Sequence, residues 1–389
     1  MVARNNGNSQ RRNWRHYGGK CGTGDRCGRG LYRSVLGRMG LQKGRGTGRK
    51  AAIGFMCALY TATASLNGLA TAQTPTSYES ALAAFDSGDY ANALIFGKLA
   101  GVGGDAEAQV MVGHILANGL DGAADKNDAV SWYLKAATSG NTDAMVGLGE
   151  LALNSHGGLS ASDAVNWLTQ AANKGRADAM RALADIYLQG KGTAPDQAKG
   201  RDWLVKASSY GDASAAHKLG DQYFETDPNK ALIWYEKAAA SGDAKAAYIA
   251  AIMYAENYEI KPDAVKAAQL LEQAANAKIP AAQADFGLVV YQGSGIESSM
   301  EKAAEWFRKS AENGDPEGQF LYAFTLAKGE GVQQSYEDAY YWLLKAEETT
   351  GISDVADYDQ SRADLKKRLE DNVDPAILAR ARAKLNSGQ

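Results

Sequence analysis

Residues 231–242 read Ala-Leu-Ile-Trp-Tyr-Glu-Lys-Ala-Ala-Ala-Ser-Gly. The skeleton Ala231-x-x-Trp234-x-x-Lys237-Ala238-Ala239-x-x-Gly242 recurs as Ala129-x-x-Trp132-x-x-Lys135-Ala136-Ala137-x-x-Gly140 and, in part, as Ala303-x-x-Trp306-x-x-Lys309. Trp132, Trp167, Trp203, Trp234, Trp306 and Trp342, completed by Phe96 and Leu270, fall at spacings of 36, 35, 36, 31, 36, 36 and 36. Self-similarity at a fixed period of this size marks a repeat architecture and takes precedence over residue-level reading.

Ahead of each skeleton lies a second string, as in Ala144-x-x-x-Leu148-Gly149, Ala179-x-x-x-Leu183-Ala184-x-x-Tyr187 and Ala215-x-x-x-Leu219-Gly220-x-x-Tyr223. Small or apolar residues at i, i+4, i+5 and i+8 form one helical face, so each repeat is two helices. Gly190-Lys191-Gly192, Gly293-Ser294-Gly295 and Gly329-Glu330-Gly331 fall between the helices, where a turn with positive φ favours glycine. Gly140, Gly175, Gly211, Gly242 and Gly314 close the second helix in the same way. The spacing of 31 marks a repeat that has lost its glycine loop. One helix pair cannot cover its own apolar face, so neighbours stack into a continuous core. The expected fold is all-α, an α/α superhelical solenoid of about seven to eight helix-turn-helix units. The tryptophans are expected to fill the space between successive pairs, with Trp234→Ala costing roughly 3–5 kcal/mol as a large-to-small core change.

These strings resemble Sel1-like repeats, the bacterial relatives of tetratricopeptide repeats. The resemblance covers residues 105–351 as seven units, led by a degenerate unit at 77–104 that holds Phe85, Gly88-Asp89-Tyr90 and Phe96. Leu270 replaces Trp, and Lys278 replaces the closing glycine, in one unit. Residues 352–389 are expected to cap the stack: Asp374-Pro375 reads as an N-cap and N1 proline opening a last helix, with Asp354 to Glu370 helical before it.

The front of the chain reads as addressing. Residues 1–50 hold 13 basic residues and one acid, Asp25, in a Gly/Arg-rich segment with no apolar periodicity, expected to be disordered. The apolar run Ala51 to Tyr60 and the small-residue ending Ala70-Thr71-Ala72 match a cleaved export signal over residues 51–72. The run is short for a spanning helix, and an uncleaved membrane anchor is the alternative. Met39 offers a second start that would give a signal of ordinary length. Gly54-Phe55-Met56 before Cys57 lacks the small residues of a lipoprotein signal. All three cysteines, Cys21, Cys27 and Cys57, precede Ala72, so the mature chain would stand on its core without disulfides in an oxidising compartment. Periplasmic localisation follows as the expectation.

Residues after 73 hold 29 basic and 44 acidic residues. A net acidic body repels phosphate backbones, which argues against nucleic acid as a partner. His114, His156 and His217 lie in different repeats with no second histidine at helical spacing, so no metal pair is readable, and no cofactor is implied. No nucleophile elbow occurs and the mature chain has no cysteine nucleophile. Cysteine-rich relatives associated with penicillin binding resemble this chain only weakly, because they rely on disulfides it cannot form. A hydrolase acting on wall or β-lactam substrates is the remote alternative to a non-enzymatic protein.

Positions two before, two after and five after the Leu of each first-helix string lie opposite the buried face. In tetratricopeptide-like solenoids that face lines the concave groove, so the resemblance places partner contact at His114, Glu150, Arg181, Asp185, His217, Asp221, Tyr248, Tyr291, Phe320 and Phe324. The series grades from charged to aromatic. Aromatics there suit a protein or peptide partner, and equally suit packing against the next helix pair. The resemblance implies an interaction scaffold or regulator in the cell envelope, with the periplasmic domain of a membrane signalling protein as the expected partner class. An envelope or cell-wall assembly factor is the second reading.

Overall fold

The structure, a computed structural model, describes residues 77–255, 260–350 and 356–387; the addressing segments read at residues 1–72 lie outside them. Eighteen helices and no strand occur among the described residues. They form antiparallel pairs: α1 (Tyr78–Asp86) with α2 (Tyr90–Val102), α3 (Ala106–Asn118) with α4 (Lys126–Thr138), and α5 (Thr142–Leu153) with α6 (Ala161–Asn173). The series continues with α7 (Ala177–Gln189) and α8 (Gln197–Ser209), α9 (Ala213–Tyr223) and α10 (Pro228–Ala240), and α11 (Ala244–Ala255) and α12 (Ala264–Asn276). It closes with α13 (Pro280–Gln292) and α14 (Met300–Glu312), α15 (Pro316–Lys328) and α16 (Tyr336–Thr350), then α17 (Ala356–Asn372) and α18 (Pro375–Asn386).

Helix starts are chemically specified. Asp105, Asp125, Asp196, Asp212, Asp227, Asp263 and Asp315 each place a carboxylate oxygen on a backbone N–H of the first turn. That satisfies donors that would otherwise lack partners. Proline at the first position of α10, α13, α15 and α18 costs nothing there, because its missing N–H is one of those donors. Gly190, Gly293 and Gly329 end α7, α13 and α15 in the left-handed conformation, at φ of 72°, 70° and 73°. The fifth pair, which is the fourth of the seven full repeats, has no such turn: α9 runs into Phe224–Asp227 and straight on to α10, as the short spacing required. The second glycine of each loop has a different task. A Cβ on Gly192, Gly295 or Gly331 would overlap the carbonyl of Ala161, Ala264 or Met300, at the start of the preceding repeat's second helix. Each loop therefore lies directly on its predecessor.

The expectation that the tryptophans form the deep core needs correction. Only Trp132 is fully buried; Trp167, Trp203, Trp234, Trp306 and Trp342 are half-buried and pack against the core from its edge. The residue immediately after each anchor goes deeper. Tyr133, Leu168, Leu204, Tyr235, Leu271, Phe307 and Leu343 are all at most 3% exposed. Five of the six indoles lie under a lysine one turn on, with Lys135, Lys206, Lys237, Lys309 and Lys345 Nζ at 3.9–5.2 Å from the ring centroids of Trp132, Trp203, Trp234, Trp306 and Trp342, whereas Trp167 has Gln170 at that position. That cation–π contact explains the Trp-x-x-Lys spacing. A three-residue helical step places the partners on one stripe.

Glycines in the first helices accept the deep anchors. A Cβ on Gly147 or Gly220 would strike the ring of Tyr133 or Tyr235, and one on Gly287 the ring of Phe307. In the Leu-Gly steps Leu148-Gly149 and Leu219-Gly220 the glycine is thus a socket, for Leu168 and Tyr235. Each first helix packs on its own second helix, and the second helix on the next first helix. First helices also touch directly, α1 with α3, α3 with α5 and α13 with α15, whereas successive second helices make no comparable contact among the described residues. The first helices therefore line the tighter, inner side. At the far end, α18 packs on α16 where the first helix of a further repeat would sit, with Leu378 and Ala381 buried and Asp374 capping its start. Arg380 to Glu337 at 2.7 Å and Lys384 to Asp338 at 2.9 Å hold the charged rim of that cap.

Candidate functional site

The inner face is built from polar side chains of the first helices, linked from repeat to repeat by the stacking. Asn141 Nδ2 donates to Glu107 Oε1 at 2.9 Å, from the cap of α5 to the start of α3. Arg176, standing where α3, α5, α9, α11 and α15 carry an acidic or amide cap, grips Asp178 through both Nε and Nη2, at 3.0 and 2.7 Å, and bonds Asp143 of α5 through Nη1. Burial works against its charge, but these carboxylates outweigh it and hold the guanidinium above its ordinary range. Arg181 Nε donates to Asp212 Oδ2 at 2.8 Å, and Lys218 Nζ reaches back to both oxygens of Asp185 at 2.6 and 2.7 Å. His217 Nδ1 lies 2.8 Å from Asp243 Oδ2. Further along, Tyr248 O–H donates to Asp285 Oδ2 and Tyr291 O–H to Glu330 Oε2, each at 2.8 Å.

These contacts run between neighbouring repeats and form a ladder along the first helices. Arg181, Asp185, His217, Tyr248 and Tyr291 are rungs of it. Asp221 stays within its own repeat, accepting the Tyr235 hydroxyl at 2.7 Å, and its side chain is 57% exposed. His114 is half-buried beside Phe85, with ring centroids 6.0 Å apart, and burial lowers its pKa. Glu150 is half-buried on α5, and Phe324 lies under Lys328 Nζ at 4.3 Å. Phe320 is only 7% exposed and belongs to the core that includes Leu343 and Leu378. It supports the face from beneath rather than presenting a ring on it. The reading by helical angle places the set on one side of the first helices but does not bring it together as a single pocket.

The partners of these groups were not singled out from sequence. Asp212 and Asp243 both follow a closing glycine, in Gly211-Asp212-Ala213 and Gly242-Asp243-Ala244. The same carboxylate caps its own helix and binds the preceding repeat, so the Gly-Asp step after each closing turn was the available signal. The electrostatics of the face are set by carboxylates. Burial and the charge of Asp143 raise the pKa of Glu107, burial raises Asp315, and burial together with Asp285, Glu317 and Asp315 pushes the Tyr248 phenol far up. Among the described residues no three His, Cys, Asp or Glu side chains gather as a metal site requires. His156 sits apart, in the loop after α5, with Lys126 Nζ 2.8 Å from its Nε2. No described helix is long and apolar enough to cross a membrane.

The Sel1 repeat family profile matches residues 106–141, 142–175, 177–212, 213–243, 244–278, 280–315 and 316–348, together more than half of the chain. The boundaries coincide with the pairs α3/α4 to α15/α16. Among solved structures, a Sel1 repeat protein from Oxalobacter formigenes is similar at 24% identity and a TM-score of 0.52, over 74% of this chain and 86% of its own. A protective antigen present in uropathogenic Escherichia coli strains, displaying an SLR fold, is similar at 24% identity and a TM-score of 0.38, over 75% and 74% of the two chains. An immunity protein from Pseudomonas aeruginosa aligns at 19% identity and a TM-score of 0.30, over 69% and 88%. None of the curated proteins matches the chain.

Proposed function

The chain belongs to the Sel1 repeat family, and we propose that it is a non-enzymatic interaction scaffold of the bacterial cell envelope whose inner first-helix face holds a protein or peptide. Sel1 repeat proteins mediate protein–protein interaction. The observation that carries the proposal for this chain is the ladder itself. Successive first helices present acids, cations and tyrosines on one side, tied from repeat to repeat, so an extended partner would meet charged or hydroxyl groups along the whole face. Hot-spot contact falls to His114, Glu150, Arg181, Asp185, His217, Asp221, Tyr248, Tyr291 and Phe324, with Phe320 shaping the surface below them. The export reading of residues 51–72, with cleavage after Ala72, and the absence of cysteine from the rest of the chain support a periplasmic location. The periplasmic domain of a membrane signalling protein is the partner class.

The test is capture from the native host of a C-terminally tagged chain carrying a photo-crosslinker at Glu150 or Phe324. The expected result is a bait that begins near Gln73 and is joined to one dominant envelope protein. A bait that retains Ala51 to Ala72 and is joined to cytoplasmic proteins overturns the location. A crosslink from an outward position such as Arg201 to the same partner, with none from Glu150 or Phe324, overturns the face.

A further inference from the structure

The fourth repeat has lost its loop, and its first helix α9 is 11 residues long against 12 or 13 in the other six repeats. At this repeat the ladder passes through a histidine. His217 Nδ1 lies 2.8 Å from Asp243 Oδ2 at the start of α11, and Nε2 lies 3.6 Å from Asp221 Oδ1 on its own helix. The ring stands edge-on to Tyr235 of α10, at 5.5 Å and 85°. Asp243 serves two helices at once: its Oδ1 accepts the N–H groups of Lys245 and Ala246, capping α11, while Oδ2 faces the imidazole. Both side chains are about one-fifth exposed, so solvent screens the pair only in part. The groups around the ring are Asp221 from α9 and Asp243 from α11, which favour its charge, Lys245 from α11, which opposes it, and the Tyr235 phenol from α10, which burial and Asp221 keep neutral.

The other described rungs that reach a carboxylate of a neighbouring repeat use Asn141, Arg176, Arg181, Lys218, Tyr248 or Tyr291, none of them an imidazole. His217 is the rung with an imidazole, the side chain that ordinarily changes charge near neutral pH. We propose that the His217–Asp243 contact is a pH-sensitive clamp between the fourth and fifth repeats, closed while the imidazole is protonated and loosened when it is not. The sign follows from linkage. The hydrogen bond to Asp243 is the largest influence on His217 and raises its pKa. Burial works against ionisation of Asp243, but His217 and the capping N–H groups hold its pKa below the ordinary value. The clamp's contribution is therefore whole below the titration of an unfolded histidine and is lost as pH rises through the folded value. The carboxylate stays ionised throughout. Loosening frees α9 from α11 on the inner face, which changes the register of the ladder at the repeat that has no loop to restrain it.

Hydrogen exchange of the full chain at pH 6 and pH 8, corrected for intrinsic exchange, tests the clamp. Amides of α9 and α11 are expected to lose at least threefold more protection than those of α5 and α13 on going to the higher pH. Asp243→Asn removes the charge but keeps a good N-cap, and with His217→Gln it is expected to abolish the difference. A pH-dependent loss that persists in both variants, or one spread evenly over all repeats, overturns the proposal. Imidazole titration by NMR in the unaltered chain is a check that no folding failure can mask. A His217 midpoint at or below that of a solvent-exposed histidine sinks the clamp.

Discussion

The inner face is made differently in its two halves. From α5 to α9 its rungs are ion pairs: Arg176 on Asp143 and Asp178, Arg181 on Asp212, and Lys218 on Asp185. From α11 to α15 they are tyrosine hydroxyls on carboxylates, Tyr248 on Asp285 and Tyr291 on Glu330. The same face is bridged by two chemistries with different sensitivities. An ion pair is weakened by salt in proportion to its exposure, more for Lys218–Asp185 than for the deeper Arg181–Asp212. A phenol–carboxylate bond carries only one charge and responds far less. His217, between the halves, responds to pH instead. A stack of near-identical helix pairs thus distributes distinct controls along one surface without changing its backbone.

The two halves share their deep anchors, so the largest effects should be alike in both. Phe307→Ala is expected to lower stability by about 3–5 kcal/mol and Leu168→Ala by about 2–5 kcal/mol, because both side chains are about 1% exposed and leave cavities. Trp306→Ala, half-buried at the edge, should cost less than Phe307→Ala when urea midpoints are compared. A greater loss from the tryptophan would return the indoles to the centre of the core. The rungs come next in size and should separate the halves. Arg181→Met leaves Asp212, 10% exposed, without its cation, at a cost of about 1–3 kcal/mol. Tyr248→Phe should cost about 0.5–1.5 kcal/mol. Raising NaCl to molar concentration should shrink the first cost and leave the second unchanged. Equal salt dependence would erase the distinction between the halves.

How much of this was legible follows from which interactions repeat in sequence. The helix pairs, their glycine turns and the lost loop were readable because each depends on residues within one period, and backbone turns tolerate few substitutes. Asp374-Pro375 opening α18 was readable for the same reason. The depth of Tyr133, Leu168 and Phe307 was not, because the anchor position accepts Tyr, Leu or Phe and only the neighbouring tryptophan stands out by type. The inner-face residues could be placed on a side by helical angle alone. Their partners could not, since Arg181 meets Asp212 and Tyr248 meets Asp285 across 31 and 37 residues, and which group bonds which depends on the stacking offset.

The smallest effect tests the border of the late half. Lys278 stands where five other repeats close with glycine, and it holds φ at +63°, beside glycines at +86° to +94°. A side chain there sets Cβ against the backbone, at a cost of about 1 kcal/mol relative to glycine. Its N–H still closes the turn on Ala275 O at 3.0 Å, and Ile279 N–H does so on Ala274 O at 3.3 Å, so the strain is borne by the turn and not released. Lys278→Gly should therefore stabilise the chain by up to about 1 kcal/mol, less the added freedom of glycine in the unfolded chain. Thermal denaturation should show a small rise in midpoint with no change in the inner-face salt response. A fall would mean that the lysine side chain holds a contact worth more than its strain, and that the fifth repeat departs from its neighbours for a reason beyond the turn.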